Sequence, residues 1–459
     1  MTSTNQIVSS WTMSGIHSAK ANFFRNHDPF VKYHSHSDRT TKCSGSGSGG
    51  NTCTIYGSAF SPPTSYNNKK YFVVCTSNGC IAIWDYEASK YGSVGPLEPV
   101  LTVSVNGENN RFNSTVLYDL QFIEISNGDH LLVASGDPGI LIYKWSHFED
   151  AISSVSSSKP QCQYPSSAIS IPKVTPITSF HPHPSPSAHY GESVEINCAS
   201  YSKSENVLYG AAGDMFGCYQ WDMSTEKLLG TFGGSNRFDR GIGHTDYLHV
   251  VKSIPDNEGS PGSQCVITGG EDGNMGWWEG KSRKLIELVN MQKVIDRNRD
   301  MFSQNNNPAP NSRTSWNIGS NSLWVSSMTT NSNWLAVCGG SECSNNSITS
   351  RASMGTTSSG FLSLWHLPTR TCTSGCITRE NLNSVVYNQS LDCFVTGGNE
   401  GMISFWEPTN MVRSSRSWSS PPATYSISVD SNMMVVGGAG GKLDLFVDRI
   451  RVSELQCQS

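Results

Sequence analysis

One block recurs seven times along this chain and constrains its fold more than any other feature. Each copy has an apolar run, a glycine-rich turn, a second apolar run, and an aromatic residue followed by a polar one. It reads YFVVCTSNGCIAIWD from Tyr71 to Asp85, LLVASGDPGILIYKW from Leu131 to Trp145, VLYGAAGDMFGCYQWD from Val207 to Asp222 and CVITGGEDGNMGWWE from Cys265 to Glu279. An insertion splits the fifth copy into WLAVCGG, beginning at Trp334, and GFLSLWH, ending at His366. The last two are CFVTGGNEGMISFWE, from Cys393 to Glu407, and MMVVGGAGGKLDLFV, from Met433 to Val447. Each copy reads as two strands around a tight turn, where glycine supplies the positive φ that short hairpins need.

The aromatic anchors are Trp84, Trp145, Trp221, Trp278, Trp365, Trp406 and Phe446, spaced by 61, 76, 57, 87, 41 and 40 residues. The last two intervals match the ~40–45-residue period of a four-stranded propeller blade, and the longer ones add insertions. A short apolar run precedes every hairpin: Ile55–Phe60, Leu117–Ile123, Glu195–Tyr201, Tyr247–Val251, Leu323–Met328, Leu382–Tyr387 and Thr424–Val429. Fourth-strand candidates follow, such as Leu228–Phe232 and Leu285–Val289. The fold class expected is all-β, a seven-bladed β-propeller over residues 52–455 after an N-terminal extension, 1–51, expected to be largely flexible. The blades fall near 52–105, 115–180, 193–233, 244–290, 320–379, 381–420 and 422–455. Each is expected to use consecutive strands, with Arg449–Leu455 rather than the N-terminal run Gln6–Ser10 closing the seventh. The polar stretches Ser44–Gly50, Ser153–Pro186, Asn305–Ser315 and Ser341–Ser359 are too poor in large apolar residues to fold alone and read as loops.

The fourth copy carries Gly243-His244, then Thr268, Asp272 in the turn and Trp278 in the third strand. WD40 repeats have these residue types at this spacing, and in them His–Asp and His–Thr–Trp hydrogen bonds tie the outer loop to the hairpin. A His beside an Asp and a Thr could also be a catalytic triad, but a structural tetrad is the better reading, because buried polar groups require such partners. The other copies are degenerate: Asn78 and Glu400 replace the turn Asp, and no Gly-His precedes them.

The 459 residues carry 32 Lys and Arg against 37 Asp and Glu, a net charge of −5, which argues against a chain that grips nucleic acid by itself. No run is long and apolar enough to span a membrane, and the opening residues lack the apolar core of a secretory signal. The 14 cysteines are scattered, many inside apolar runs (Cys75, Cys265, Cys338, Cys393), as expected of reduced thiols. Walker loops, nucleophile elbows and paired zinc motifs are absent. His34-Ser-His36 and His181–Pro184 lack a second half-site and read as loops, and Cys372 and Cys376 read as the outer strand of blade five and its turn. The basic clusters Lys281–Lys284 and Arg413/Arg416 are too short to dominate an acidic chain. The chain is thus expected to have no catalytic residues, cofactor, metal or small-molecule substrate.

Several segments resemble the THO complex subunit 6 family. They are GESVEINCASYSKSENVLYGAAGD (Gly191–Asp214), TEKLLGTF (Thr225–Phe232), GHTDYLHVV (Gly243–Val251) with GGEDG (Gly269–Gly273), WVSSMTTNSNWLAVCGG (Trp324–Gly340) and LSLWHLPTRT (Leu362–Thr371). The strong match runs from Gly191 to Glu407; the Trp-His-Leu strand and the Val-Glu-Ile-Asn piece, in this order, make it specific. The long insertions and the N-terminal extension depart from the family. The resemblance implies a nuclear, non-enzymatic scaffold in messenger-ribonucleoprotein assembly and mRNA export within the transcription–export assembly. Its implied partners are the other THO subunits, chiefly the coiled-coil subunits 5 and 7, with mRNA reached only through the complex. The rival is a substrate receptor of a cullin-4 ubiquitin ligase, which normally carries Trp-Asp-x-Arg. Here Trp84-Asp85 is followed by Tyr86-Glu87 and Trp221-Asp222 by Met223-Ser224, without the Arg.

Overall fold

The computed structural model describes residues 53–63, 69–90, 98–105, 115–157, 174–182, 194–213, 216–233, 243–254, 265–303, 323–341 and 359–457. They form seven four-stranded antiparallel sheets, each built from consecutive strands. Blade one is β1 (Ile55–Phe60), β2 (Tyr71–Thr76), β3 (Cys80–Asp85) and β4 (Leu101–Ser104); blade two is β5 (Leu117–Glu124), β6 (His130–Gly136), β7 (Gly139–Lys144) and β8 (Thr178–Phe180). Blade three is β9 (Ile196–Ser202), β10 (Val207–Ala212), β11 (Gly217–Asp222) and β12 (Leu228–Gly233); blade four is β13 (Leu248–Ile254), β14 (Cys265–Gly270), β15 (Asn274–Glu279) and β16 (Leu285–Asn290). Blade five is β17 (Leu323–Asn331), β18 (Trp334–Ser341), β19 (Ser359–His366) and β20 (Thr371–Thr378); blade six is β21 (Leu382–Asn388), β22 (Cys393–Gly398), β23 (Met402–Trp406) and β24 (Arg413–Trp418). Blade seven is β25 (Thr424–Asp430), β26 (Met433–Gly438), β27 (Lys442–Val447) and β28 (Ile450–Gln456). Among the described residues four short α-helices accompany the strands: α1 (Tyr86–Lys90), α2 (Trp145–Ser157), α3 (Met291–Arg297) and α4 (Arg299–Ser303).

The burial of each strand explains why the hairpins stand out in the sequence. Second strands such as β2, β10, β22 and β26 are buried along their whole length, because neighbouring blades cover both faces. They can therefore be continuous apolar runs. Outer strands are half-exposed; β24 has no fully buried residue. The first strands stand side by side around the axis, and β25 packs against β1 to close the ring. At that seam the Ser58 and Ser426 hydroxyls lie 2.7 Å apart, and Lys70 pairs with Asp430. β28 supplies the outer strand of blade seven and pairs with β27 from Lys442↔Gln456 to Val447↔Ile450.

The structure alters the reading of blade two. Tyr143, opposite Leu132, takes the register position that Trp84 takes opposite Phe72 and Trp278 opposite Val266. The anchor is therefore Tyr143, not Trp145, which begins α2 two residues later. Trp145 fills a different gap, with its ring 5.0 Å from Phe122 and 5.6 Å from Phe148. Trp145, Phe148, Ala151 and Ile152 give α2 one buried face, a helical spacing obscured by its serines. The stretch Ser153–Pro186 is thus not all loop: 153–157 end α2, and Thr178–Phe180 are β8. Cys372 and Cys376 both lie within β20, with no turn between them. The extension 1–51, with Gln6–Ser10, Ser44–Gly50, His34 and His36, and the stretch Asn305–Ser315 lie outside the described residues.

Ser341 and Ser359 face each other at the ends of β18 and β19, and the Ser341 hydroxyl donates to the Ser359 carbonyl at 2.9 Å. Replacing residues 342–358 by a two-residue Asn-Gly turn is expected to leave the melting temperature within a few degrees, since the ends are already at hairpin separation. A thermal melt monitored by circular dichroism checks this.

Candidate functional site

In blade four, His244 precedes β13, Thr268 sits on β14, Asp272 in the β14–β15 turn and Trp278 on β15. The His244 Nδ1 is 3.0 Å from the Asp272 Oδ1, its Nε2 is 2.8 Å from the Thr268 Oγ1, and the Trp278 Nε1–H donates to that same oxygen at 2.8 Å. Indole can only donate and carboxylate only accept, so with a neutral imidazole the protons have one consistent order. Trp278 N–H donates to the Thr268 oxygen, the Thr268 hydroxyl to His244 Nε2, and His244 Nδ1–H to Asp272. Asp272 also accepts from the backbone N–H groups of Thr245 and Asn274, both at 3.0 Å. Burial alone would raise the Asp272 carboxyl, but the hydrogen bonds from His244, Asn274 and Thr245 outweigh it and hold it below its ordinary value. With Thr268 and its partners buried, the chain of bonds offers no reacting atom to a substrate. It ties the loop entering the blade to the hairpin.

The other blades make this tie with different residues. In blade two the Asp137 carboxylate accepts from Val116 N–H at 2.9 Å and from the Tyr118 hydroxyl at 3.0 Å. Burial and then the Asp137 charge push the Tyr118 hydroxyl well above the ordinary tyrosine value, which keeps it a neutral donor. Blade six keeps the Trp406–Thr396 bond at 2.8 Å, and there the buried Glu380 accepts the Glu400 N–H at 3.1 Å.

Burial, and then the Glu400 charge, push the Glu380 carboxyl from 4.5 up to about 7. A carboxyl raised in the folded state costs stability once it must ionise, and that cost grows as the pH rises from the unfolded value through the folded one. Glu380→Gln is therefore expected to add about 1–2 kcal/mol at about pH 8 and almost nothing at about pH 4. Urea denaturation at the two pH values measures the difference.

A second constellation escapes sequence reading. Every first strand carries a bulge against its second strand, and the bulged residues are Tyr56, Tyr118, Asn197, His249, Ser326, Asn383 and Tyr425. Three of them donate to a carbonyl on the next blade's first strand: Asn197 to Leu248 at 2.7 Å, Ser326 to Leu382 at 2.6 Å and Asn383 to Thr424 at 3.0 Å. In blades seven, one and two the residue is tyrosine, and the Tyr56 ring lies 5.6 Å from both Tyr118 and Tyr425. Trp324 of blade five joins the same buried cluster from across the axis. Aromatic side chains thus fill the channel at the end where second and third strands turn. These residues differ in type and stand at varying distances before their hairpins, so no motif in the sequence marks the ring.

The remaining candidates do not converge on a site. Trp84, Trp221, Trp365, Trp406 and Phe446 are buried in their separate blades, and the His181 Nε2 lies 3.0 Å from the Ser179 hydroxyl. In the Lys281–Lys284 cluster, Arg283 reaches blade three and donates to the Gln220 side-chain oxygen at 3.2 Å. Among the described residues, 11 cysteines are free, no three or more His, Cys, Asp or Glu gather as metal ligands, and no helix is long and apolar enough to cross a membrane.

No family model matches the chain. It is 25% identical to THO complex subunit 6 of Arabidopsis thaliana over 408 residues, which cover 86% of this chain and 89% of the relative. It is 26% identical over 227 residues to THO complex subunit 6 of Homo sapiens and to the Rattus norvegicus homolog; each match covers half of this chain and half of the relative. The similarity to a plant protein named THO complex subunit 6 extends over most of both chains, and by it this chain resembles the THO complex subunit 6 proteins.

Proposed function

We propose that this chain is a non-enzymatic scaffold subunit of the THO complex, acting in the nucleus in messenger-ribonucleoprotein assembly and mRNA export coupled to transcription. The observation that carries this reading is the near end-to-end similarity to a protein named as a THO complex subunit. The geometry supports it from the other side. The buried polar clusters described above are spent on holding blades together, and a filled channel end makes the ring a rigid platform whose outer surfaces are free to bind. The partners are the other THO subunits, notably the coiled-coil subunits 5 and 7. With a net charge of −5 the chain meets mRNA through the complex rather than by itself.

Affinity purification of the tagged chain from nuclear extract, followed by mass spectrometry, tests this. Recovery of THO subunits, 5 and 7 among them, is the expected outcome. Recovery of the cullin-4 adaptor without THO subunits would overturn it in favour of a ligase receptor.

A further inference from the structure

The outer strand of blade six differs from its counterparts. A one-residue bulge sits opposite the anchor in blades three to seven, and in blade six it falls between Phe405 and Trp406. It sets Arg413 opposite Trp406, Arg416 opposite Ser404 and Trp418 opposite Met402. Those three partners alternate along β23, so Arg413, Arg416 and Trp418 share one face of the blade. The corresponding residues of blade three are Leu228, Thr231 and Gly233, and blade seven sets Arg451 beside Glu454. Among the described residues, only blade six lines up two cations and an indole.

Arg379, just past the end of β20 in blade five, adds a third cation. Burial and the nearby Arg416 and Arg379 charges pull Arg413 below the ordinary arginine value, the mark of like charges held together. The carboxylate against this group is Glu380, whose Oε1 is 3.7 Å from Arg416. Glu380 is buried, and its raised pKa leaves it only partly ionised at neutral pH. Trp418 is 73% exposed, more than any other large apolar side chain among the described residues. β24 is also the last strand of its sheet, so its outward main-chain groups form an edge that another strand can extend.

We infer that the outer edge of blade six is a docking strip for an extended, acidic segment of a partner protein, with Arg379, Arg413 and Arg416 meeting its carboxylates and Trp418 covering its apolar side chains. An open strand edge offers main-chain hydrogen bonds with a two-residue period, which fit a polypeptide. Three clustered arginines on an acidic chain fall short of the basic track that single-stranded RNA requires. A second copy of this chain fits poorly as well, since pairing two β24 edges would set arginines against arginines. The inference stands on the charge and register of blade six and holds whichever complex the chain joins.

Fluorescence anisotropy with a labelled ten-residue peptide of alternating Glu and Val tests it, against a Lys-Val peptide and a ten-residue oligouridine. The Glu-Val peptide is expected to bind, with affinity falling steeply as salt rises from about 50 to about 300 mM. The double variant Arg413→Glu, Arg416→Glu should weaken binding at least tenfold. Arg413 also lies over the Trp406 ring and Arg416 beside Glu380, so melting curves accompany that variant. Trp418→Ala removes a side chain held in solvent, leaves the fold intact, and should weaken binding several-fold. No binding of the Glu-Val peptide, equal binding by the native chain and both variants, or preference for oligouridine would each overturn the inference.

Discussion

Trp278→Ala is expected to lower the unfolding free energy by about 3–5 kcal/mol, and His244→Ala by about 1–3 kcal/mol. Trp278 is buried, packs edge-on against Phe232 at 6.1 Å, and is the donor that satisfies Thr268. Its loss leaves a cavity and removes one of the two hydrogen bonds made by the Thr268 hydroxyl. Without His244, Asp272 remains in a site where its side chain is only 4% exposed and has lost its strongest partner. Gly276→Ala should act on the same bonds from another direction, because a Cβ there would lie 2.6 Å from Trp278 Nε1 and 2.8 Å from Thr268 Oγ1. Chemical denaturation measures all three variants, and partner binding per folded molecule should stay unchanged. Full stability in Trp278→Ala or His244→Ala, together with loss of a catalytic activity, would contradict a structural role.

Deleting Arg449–Ser459 is expected to cost a large part of the chain's stability and to send most of the protein into aggregates. β28 covers β27 along its whole length, and β27 contributes the fully buried Leu443 and Leu445. The deletion also withdraws Leu455 and Cys457, which pack with Cys53, Ile55 and Trp84 at the seam to blade one. An apolar strand edge and an open seam would be exposed together, the conditions that favour edge-to-edge association. Removing Met1–Asn51 should instead leave a soluble monomer. Size-exclusion chromatography with light scattering separates the outcomes. A monomer after the C-terminal deletion, with aggregation after the N-terminal one, would assign the closing role to Gln6–Ser10.

The hairpins were legible because their strands are sandwiched between blades and their turns demand glycine. The glycines closing second strands have a further cause. A Cβ at Gly339 would stand 1.9 Å from the Trp324 carbonyl oxygen, and one at Gly438 would stand 1.8 Å from that of Ala423. Their recurrence reports a close backbone approach repeated from blade to blade. The outer strands were harder to read, since half-exposed segments carry weak alternation, and β8 has only three residues. Trp145 mimics a third-strand anchor because it too is an aromatic that follows an apolar run. Tyr143-Lys144 already satisfies the aromatic-then-polar rule, and Trp145 belongs to the helix. The blade-four tetrad could be read from residue types at fixed spacing. The channel ring could not, because a bulge changes which way a residue points without changing its type.

The way the ring is assembled also has a kinetic consequence. Every sheet is made from consecutive strands, so each blade can form from local pairings while the rest of the chain is still unstructured. The seam between blades seven and one is the exception, joining Ser58 to Ser426 across 368 residues of chain. Closing so long a loop comes late, after the blades that bring its ends together. Substitutions at Ser58, Ser426, Lys70 or Asp430 should therefore act mainly on the unfolding rate, with low φ-values, while those within a single hairpin slow folding. Opening of the folded ring should begin at this seam, separating blade one from blade seven while their own sheets stay intact.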